Sequence, residues 1–348
     1  MNRVVYLFGI VSVLAFGRCS DSSNETYVPP GKSEQSEDGN NEESQTEETN
    51  DGISPTFNQN QDPKTENKNW VKVEELSDEF DGVLLDTDKW SPNPEYLWGS
   101  QDRGWYGSNR SLFEPENATV GSGALNLEGE KFSSPKYSPQ DDTETPSSRR
   151  YGGAYVYGKT LAEPGYYMEA KMRASKTAMS AAFWLMSEPK PCKETPNDGE
   201  RSELDIQECV GVLTGELGDE WTKDDWAVSS NWDRIFHFNT HRHTTWECYT
   251  GEQQTVGGKI NFDKKNSEEF HVYGAYWYAD GMRVDFFIDG DFVKSVTPAV
   301  QFTAPLRLIM SSNFYDWIEE TTADEMGFNR PVEDRYTKFE WVRTWKLE

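Results

Sequence analysis

Basic residues are scarce in this 348-residue chain: 34 Lys and Arg stand against 61 Asp and Glu, a formal charge of -27. Neutralising a nucleic-acid backbone takes clustered Lys and Arg, so no nucleic-acid partner is expected. Cysteine is rare too. Cys19, Cys192, Cys209 and Cys248 show no CxxC spacing, and the four histidines, His237, His241, His243 and His271, do not combine with them in a zinc-like pattern. The longest apolar run, Val4 to Phe16, falls short of the roughly twenty residues that a membrane-spanning helix needs. Nowhere do a dozen consecutive residues sustain a strong helical period of 3.6, which argues against a helical fold. Aromatic residues, by contrast, are abundant. At 14% of the chain, with 13 Trp and 16 Tyr, they exclude a wholly disordered polymer.

Residues 1–19 read as an export signal, with Arg3 ahead of the apolar run. Cys19 followed by Ser20-Asp21-Ser22-Ser23 resembles the acylation site of a bacterial lipoprotein, although Arg18 stands where that pattern has a small residue. An ordinary secretory signal is the alternative. Either way the protein is expected outside the cytoplasm, at the cell surface or outer membrane if Cys19 is lipidated. Residues 20–67 carry twelve acids and two lysines with few apolar residues, too little buriable surface to offset the entropy of ordering. They are expected to form a disordered acidic linker. If the export signal is removed, Cys192, Cys209 and Cys248 remain; an oxidising compartment permits one disulfide among them, with the pairing open.

Residues 68–348 alternate with a period of two between turn residues. Ala124 to Glu128, Tyr166 to Arg173 and Val284 to Asp289 each place apolar side chains on one face and polar ones on the other. A single all-β sandwich of two sheets, or jelly roll, fits a segment of this length. Ser133 to Arg150 and Ser187 to Arg201, rich in Pro, Ser and charge, read as long loops.

One segment carries chemistry: Glu203-Leu204-Asp205-Ile206-Gln207-Glu208. In a strand, Glu203 and Asp205 share one face while Leu204 and Ile206 take the other. Glu208 has the wrong parity. A single-residue bulge near Gln207 would restore it and gather three carboxyls on one surface. Crowded like charges raise at least one pKa, which leaves a protonated acid beside an ionised nucleophile. That is the requirement of retaining glycoside hydrolysis, with the two carboxyls about 5 to 5.5 Å apart. Glu203 would attack the anomeric carbon, Glu208 would protonate the leaving oxygen and then activate water, and Asp205 would orient Glu203. An exposed acidic strand face in an acidic protein is the alternative account of the hexapeptide.

Glu203, Asp205 and Glu208 match the bulged Glu-x-Asp-x-x-Glu signature of glycoside hydrolase family 16, and the resemblance extends along nearly all of the folded part. Leu76 to Gly82 with Leu85-Asp86 and Lys89-Trp90 is similar to the family's opening strand. Gly123 to Leu127 and Gly165 to Met172 resemble its second and middle strands, Phe270 to Gly274 with Asp289-Gly290 a later hairpin, and Phe339 to Arg343 the closing strand. Ser175 to Leu185 and Ser202 to Gly211 look most like the β-agarase and β-porphyranase branch, which cleaves β-1,4 bonds in red-algal galactans. The resemblance implies a jelly roll with a carbohydrate cleft on its concave sheet, and endo action. A monomer with no required cofactor is expected.

Sugar faces stack on aromatic rings. Trp184 matches the branch's position beside the scissile bond, and Trp98, Trp105 and Trp232 are candidates for outer subsites, each with a place in the core as the alternative. His237 and His241 match a strand facing the cleft. Recognition of sulfate by so acidic a domain would demand local arginines, for which Arg103, Arg110 and Arg150 are the leading candidates, with Arg149, Arg234 and Arg242 beside them. Porphyran is favoured over agarose on the branch resemblance, with a κ-carrageenase-like enzyme as a further option. The family's structural calcium would involve Glu340, where many relatives have Asp. A non-catalytic carbohydrate-binding jelly roll is the reading from another class; it has no need of paired glutamates.

Overall fold

The computed structural model describes residues 52–94, 105–138, 148–188, 200–214, 231–244 and 254–348. Two sheets face each other. The back sheet runs in the order β15 (Asp291–Val296), β14 (Val284–Ile288), β13 (His271–Trp277), β8 (Tyr166–Arg173), β17 (Tyr336–Leu347), β5 (Leu125–Glu128) and β4 (Ala118–Val120), with β1 (Trp70–Lys72) also paired to β17. The front sheet runs β12 (Gln254–Asn261), β11 (Ile235–Thr244), β10 (Glu200–Val210), β9 (Ser180–Ser187), β16 (Leu306–Ser312), β7 (Arg149–Ala162) and β2 (Trp90–Ser91). On β7 also lie β3 (Ser111–Phe113) and β6 (Glu130–Lys136). Pairings are antiparallel except β3 with β7. The chain is a β jelly roll.

Period-two alternation decides which side chains fill the space between the sheets. Met168, Ala170 and Met172 of β8 point inward, as do Ala181, Phe183 and Leu185 of β9 and Leu204 and Ile206 of β10; all belong to one buried cluster. Burial of each large apolar side chain contributes about 1.5–3 kcal/mol. The alternate residues of the front sheet, Tyr155, Tyr157, Ala182, Trp184 and Ile309, form a second cluster on its outer face with Phe113. The β14–β15 hairpin turns at Asp289-Gly290, with φ of +49° and +84°. Paired positive φ values of this kind favour an Asp-Gly turn, whose twist matches the flanking strands.

Two expectations from the sequence are corrected. The first concerns the acidic linker, because its final part, residues 52–67, is packed on the outer face of the back sheet. Phe57 lies 4.6 Å from Tyr167 and 5.1 Å from Phe287 between ring centroids. The Thr56 hydroxyl donates to Glu169 at 3.0 Å, and Tyr167 donates to the same carboxyl at 2.9 Å. Composition averaged over a long acidic stretch hides one phenylalanine that completes an aromatic cluster. Burial drives the Glu169 carboxyl up to about 7, against the hydrogen bonds from Tyr167 and Thr56. The second correction shortens the long loop after Ser133, since β6 extends to Lys136 and β7 starts at Arg149.

Cys209 is a free thiol buried between the sheets, with Sγ 3.7 Å from the Ala181 carbonyl. Cys192 and Cys248 lie outside the described residues, as do Cys19 and the export signal.

Candidate active site

β10 is the strand that makes the site, and its register is broken in one place. Against β9, Asp205 pairs with Trp184 but Gln207 pairs with Phe183, so Ile206 is the extra residue of a bulge. The effect on parity is decisive. Leu204, Ile206 and Cys209 face the core, while Glu203, Asp205 and Glu208 all emerge on the outer face. The ladder to β11 ends at Asp205–Asn239. Beyond it the Gln207 carboxamide takes over, donating to the Ile235 carbonyl at 2.9 Å and accepting from the His237 amide at 3.0 Å. Two backbone groups left by the bulge are thereby satisfied.

β11 brings three histidines to the same surface at alternate positions. His241 sits opposite Glu203 in the register, and its Nε2 lies 2.7 Å from Asp205 Oδ2 and 3.9 Å from Glu203 Oε1. His243 Nε2 lies 3.1 Å from Glu203 Oε2. His237 Nδ1 faces Glu208 Oε2 at 3.4 Å. The imidazoles of His241 and His243 are nearly parallel, 5.4 Å apart. From the far side of the site, Tyr315 donates its hydroxyl to Glu208 Oε1 at 2.5 Å.

These contacts separate the carboxyls electrostatically. Burial opposes ionisation of Glu203, yet His243, then His241 and Arg201, outweigh it and hold the group down to about 2. Asp205 moves the opposite way, raised by burial and then by the charge on Glu203, with His241 countering. For His241 burial works against the charged form, but Asp205 overcomes it and raises the imidazole. The short Asp205–His241 contact therefore holds a proton beside an ionised Glu203. Burial, followed by the Glu208 charge, raises Tyr315 well above the usual phenol range, which keeps it a donor.

Tyr315 stands on the segment after β16, and that segment is fastened to the loop ahead of β3. Arg110 donates to the carbonyls of Tyr315 and Ile318 at 2.7 and 2.8 Å and to Glu320 at 3.2 Å, with its guanidinium over the Phe314 ring. Asn109 Nδ2 donates to Asp316 at 2.9 Å. Arg110, expected as a sulfate ligand, is thus a loop anchor. Arg150 pairs with the same Glu320 at 2.6 Å, with its side chain half exposed.

Among the expected aromatics, Trp184 lies on the outer face opposite Asp205, 7% exposed, and donates Nε1 to Ser311 at 3.0 Å. Trp105 meets it edge-on at 5.9 Å. The two form a packed wall beside the acids. Trp232 is corrected from subsite platform to core: it is fully buried, beneath His237 at 4.6 Å, where no sugar can reach its ring. Trp98 and Arg103 lie outside the described residues. Glu340, the calcium candidate, is paired to Lys171 at 2.7 Å on the back sheet. Among the described residues, the one group of three close metal-ligating side chains is Glu203, His241 and His243.

Sequence reasoning did not assign His243, Tyr315 or Gln207 to the site. His243 could have been found, because it repeats the strand period from His241. Tyr315 could not, since a loop more than a hundred residues away delivers it.

Residues 70–347 match the family model described as the GH16 domain of β-porphyranases A–D. The chain is similar to β-porphyranase C of Zobellia galactanivorans, 68% identical over 307 residues that span 88% of this chain and 86% of the relative. A second relative, β-porphyranase B of the same organism, is 32% identical over 84% of this chain and 90% of its own. The crystal structure of porphyranase B from Zobellia galactanivorans superposes with a TM-score of 0.70, covering 84% of this chain and 99% of that one at 32% identity. β-Agarase A from Zobellia galactanivorans shares the fold, with a TM-score of 0.60 and 18% identity over 86% of this chain and 98% of its own.

Proposed function

The chain belongs to glycoside hydrolase family 16, in the group defined by the β-porphyranase A–D domains, and from that premise we propose that it is a retaining, endo-acting β-porphyranase. Its substrate is the β-1,4-galactosidic backbone of porphyran. The observation that carries the residue roles is the bulge at Ile206, which turns Glu208 onto the face of Glu203 and Asp205.

Glu203, ionised at every working pH, attacks the anomeric carbon through the oxygen that His243 does not hold. Glu208 delivers a proton to the departing glycosidic oxygen, and a covalent glycosyl-enzyme forms. Glu208, now a carboxylate, removes a proton from water, which attacks the same carbon and restores Glu203. Tyr315 and His237 fix the Glu208 carboxyl between them, one at each oxygen. Asp205 and His241 form a proton-bearing pair that keeps the middle of the acid row from adding a second full negative charge beside the nucleophile.

Wild type, Glu203→Gln and Glu208→Gln are to be compared for reducing-end release from porphyran, agarose and κ-carrageenan. Wild type is expected to act best on porphyran, producing mid-sized fragments early. Both variants are expected to lose at least a thousand-fold in kcat while still binding the polymer in affinity electrophoresis. Undiminished hydrolysis by either variant would sink the two-glutamate assignment, and preference for neutral agarose would replace the substrate. The carbohydrate-binding module predicts no turnover by the wild type at all.

A further inference from the structure

His241 and His243 stand two residues apart on β11, so both imidazoles leave the same face of the sheet, and Glu203 enters between them from β10. One donor atom from each of the three lies within 4.8 Å of the others. The two imidazoles reach different oxygens of the carboxyl: Glu203 Oε2 to His243 Nε2 is 3.1 Å, and Glu203 Oε1 to His241 Nε2 is 3.9 Å. Zinc bonds of about 2.0–2.2 Å set tetrahedral donor atoms roughly 3.4 Å apart. With one donor from each residue, no gap has to close by more than about 1.4 Å, a side-chain adjustment, to reach that spacing.

His241 Nδ1 is 2.8 Å from Thr255 Oγ1, a bond that fixes the ring and lets Nε2 act as the ligating nitrogen. Outer hydrogen bonds of this kind orient metal-binding imidazoles. Asp205 Oδ2 lies 2.7 Å from the same Nε2, so coordination through Nε2 breaks that hydrogen bond. Imidazole nitrogens with one carboxylate suit zinc, nickel or copper, whereas calcium and magnesium require oxygen-rich shells.

We propose that Glu203, His241 and His243 form a binding site for a divalent transition metal, and that its occupation switches the enzyme off. The switching half of the proposal rests on Glu203 being the nucleophile. Coordination replaces the N–H that each histidine directs at a carboxylate; that proton moves to the other ring nitrogen or to solvent. The metal then occupies the electron pair with which Glu203 would attack, and it fills the place of the reacting sugar. Inhibition should therefore compete with polysaccharide.

The test uses the whole chain without a polyhistidine tag. Zinc chloride is titrated calorimetrically into wild type, Glu203→Gln, His243→Gln and His271→Gln, with calcium and magnesium chlorides in parallel, and porphyran hydrolysis is followed at several zinc and substrate concentrations. One zinc per wild-type chain is expected, at least ten-fold weaker in His243→Gln and in Glu203→Gln, unchanged in His271→Gln, and without matching heat from calcium or magnesium. Activity should fall competitively and return with EDTA. Thermal melts without metal establish that each variant is folded, and either of the two site variants suffices for the comparison. Zinc binding undiminished in both site variants, no zinc binding by wild type, or inhibition independent of substrate would each overturn the proposal. A Glu203→Gln enzyme that still hydrolyses would instead remove the nucleophile reading, and the calorimetry would still decide the metal site.

Discussion

Glu203 owes its ionised state to histidines that approach from the neighbouring strand. His243 is the largest of the influences that favour its charge, and burial alone would push the carboxyl the other way. Replacing His243 by Gln keeps a hydrogen bond but withdraws the Coulombic pull of the imidazole, so the Glu203 pKa rises from about 2 toward the ordinary carboxylate range. As pH falls, the variant protonates its nucleophile sooner than wild type does. The acid limb of kcat/KM on porphyran is therefore expected at higher pH in His243→Gln, and superimposable limbs would remove His243 from the support of the nucleophile. At this scale the sequence was partly readable. Spacing alone showed that Glu203, Asp205 and Glu208 could share a face. Which arginine was free to meet a ligand was not readable, because Arg110 is committed by carbonyls of a segment distant in sequence.

Strand β10 depends on having one residue more than its partner. Removing Ile206 would let β10 and β9 pair without interruption, leaving Asp205 and Glu208 two residues apart on the outer face, with Glu208 still opposite Ala182 and Gln207 in the inward place opposite Phe183. A fully buried apolar side chain is lost from the core and a carboxamide takes its place. The deletion is expected to destabilise the domain by about 3 kcal/mol, read from a thermal melt, while the folded variant keeps measurable porphyran hydrolysis in a reducing-end assay. Complete loss of hydrolysis by a folded deletion variant would mean that the bulge does more for Glu208 than set its face. Most strands follow from period two, as β8 and β14 do, and the Asp289-Gly290 hairpin follows from turn chemistry. The bulge is legible only as a parity conflict between Asp205 and Glu208. The Gln207 splice across to β11 is not, because its partners are backbone atoms of another strand and any polar residue would look the same in the sequence.

The whole molecule carries its site on one sheet and a covering segment on the other. Residues 52–67 seal the outer aromatic cluster, and Thr56 and Tyr167 hold the buried Glu169. The Glu169 carboxyl titrates near 7 in the folded protein against 4.5 ordinarily. Between those values the native state binds the extra proton, so the contribution of Glu169 to stability is fully present below pH 4.5 and is lost as pH rises through about 7. The full difference is about 3 kcal/mol. Glu169→Gln should cancel this contribution, so its melting temperature should gain on wild type as pH goes from 5 to 8, measured by calorimetry. A constant difference across that range would show that Glu169 does not carry the effect. Composition suggested that this covering stretch was unstructured; a single ring, Phe57, reverses that where it meets Tyr167 and Phe287.

That placement also sets a direction. The polypeptide enters the sandwich across the back, so residue 52, where the described chain begins, lies on the side away from the acid row. A long polymer can meet the cutting face without passing over the covering segment.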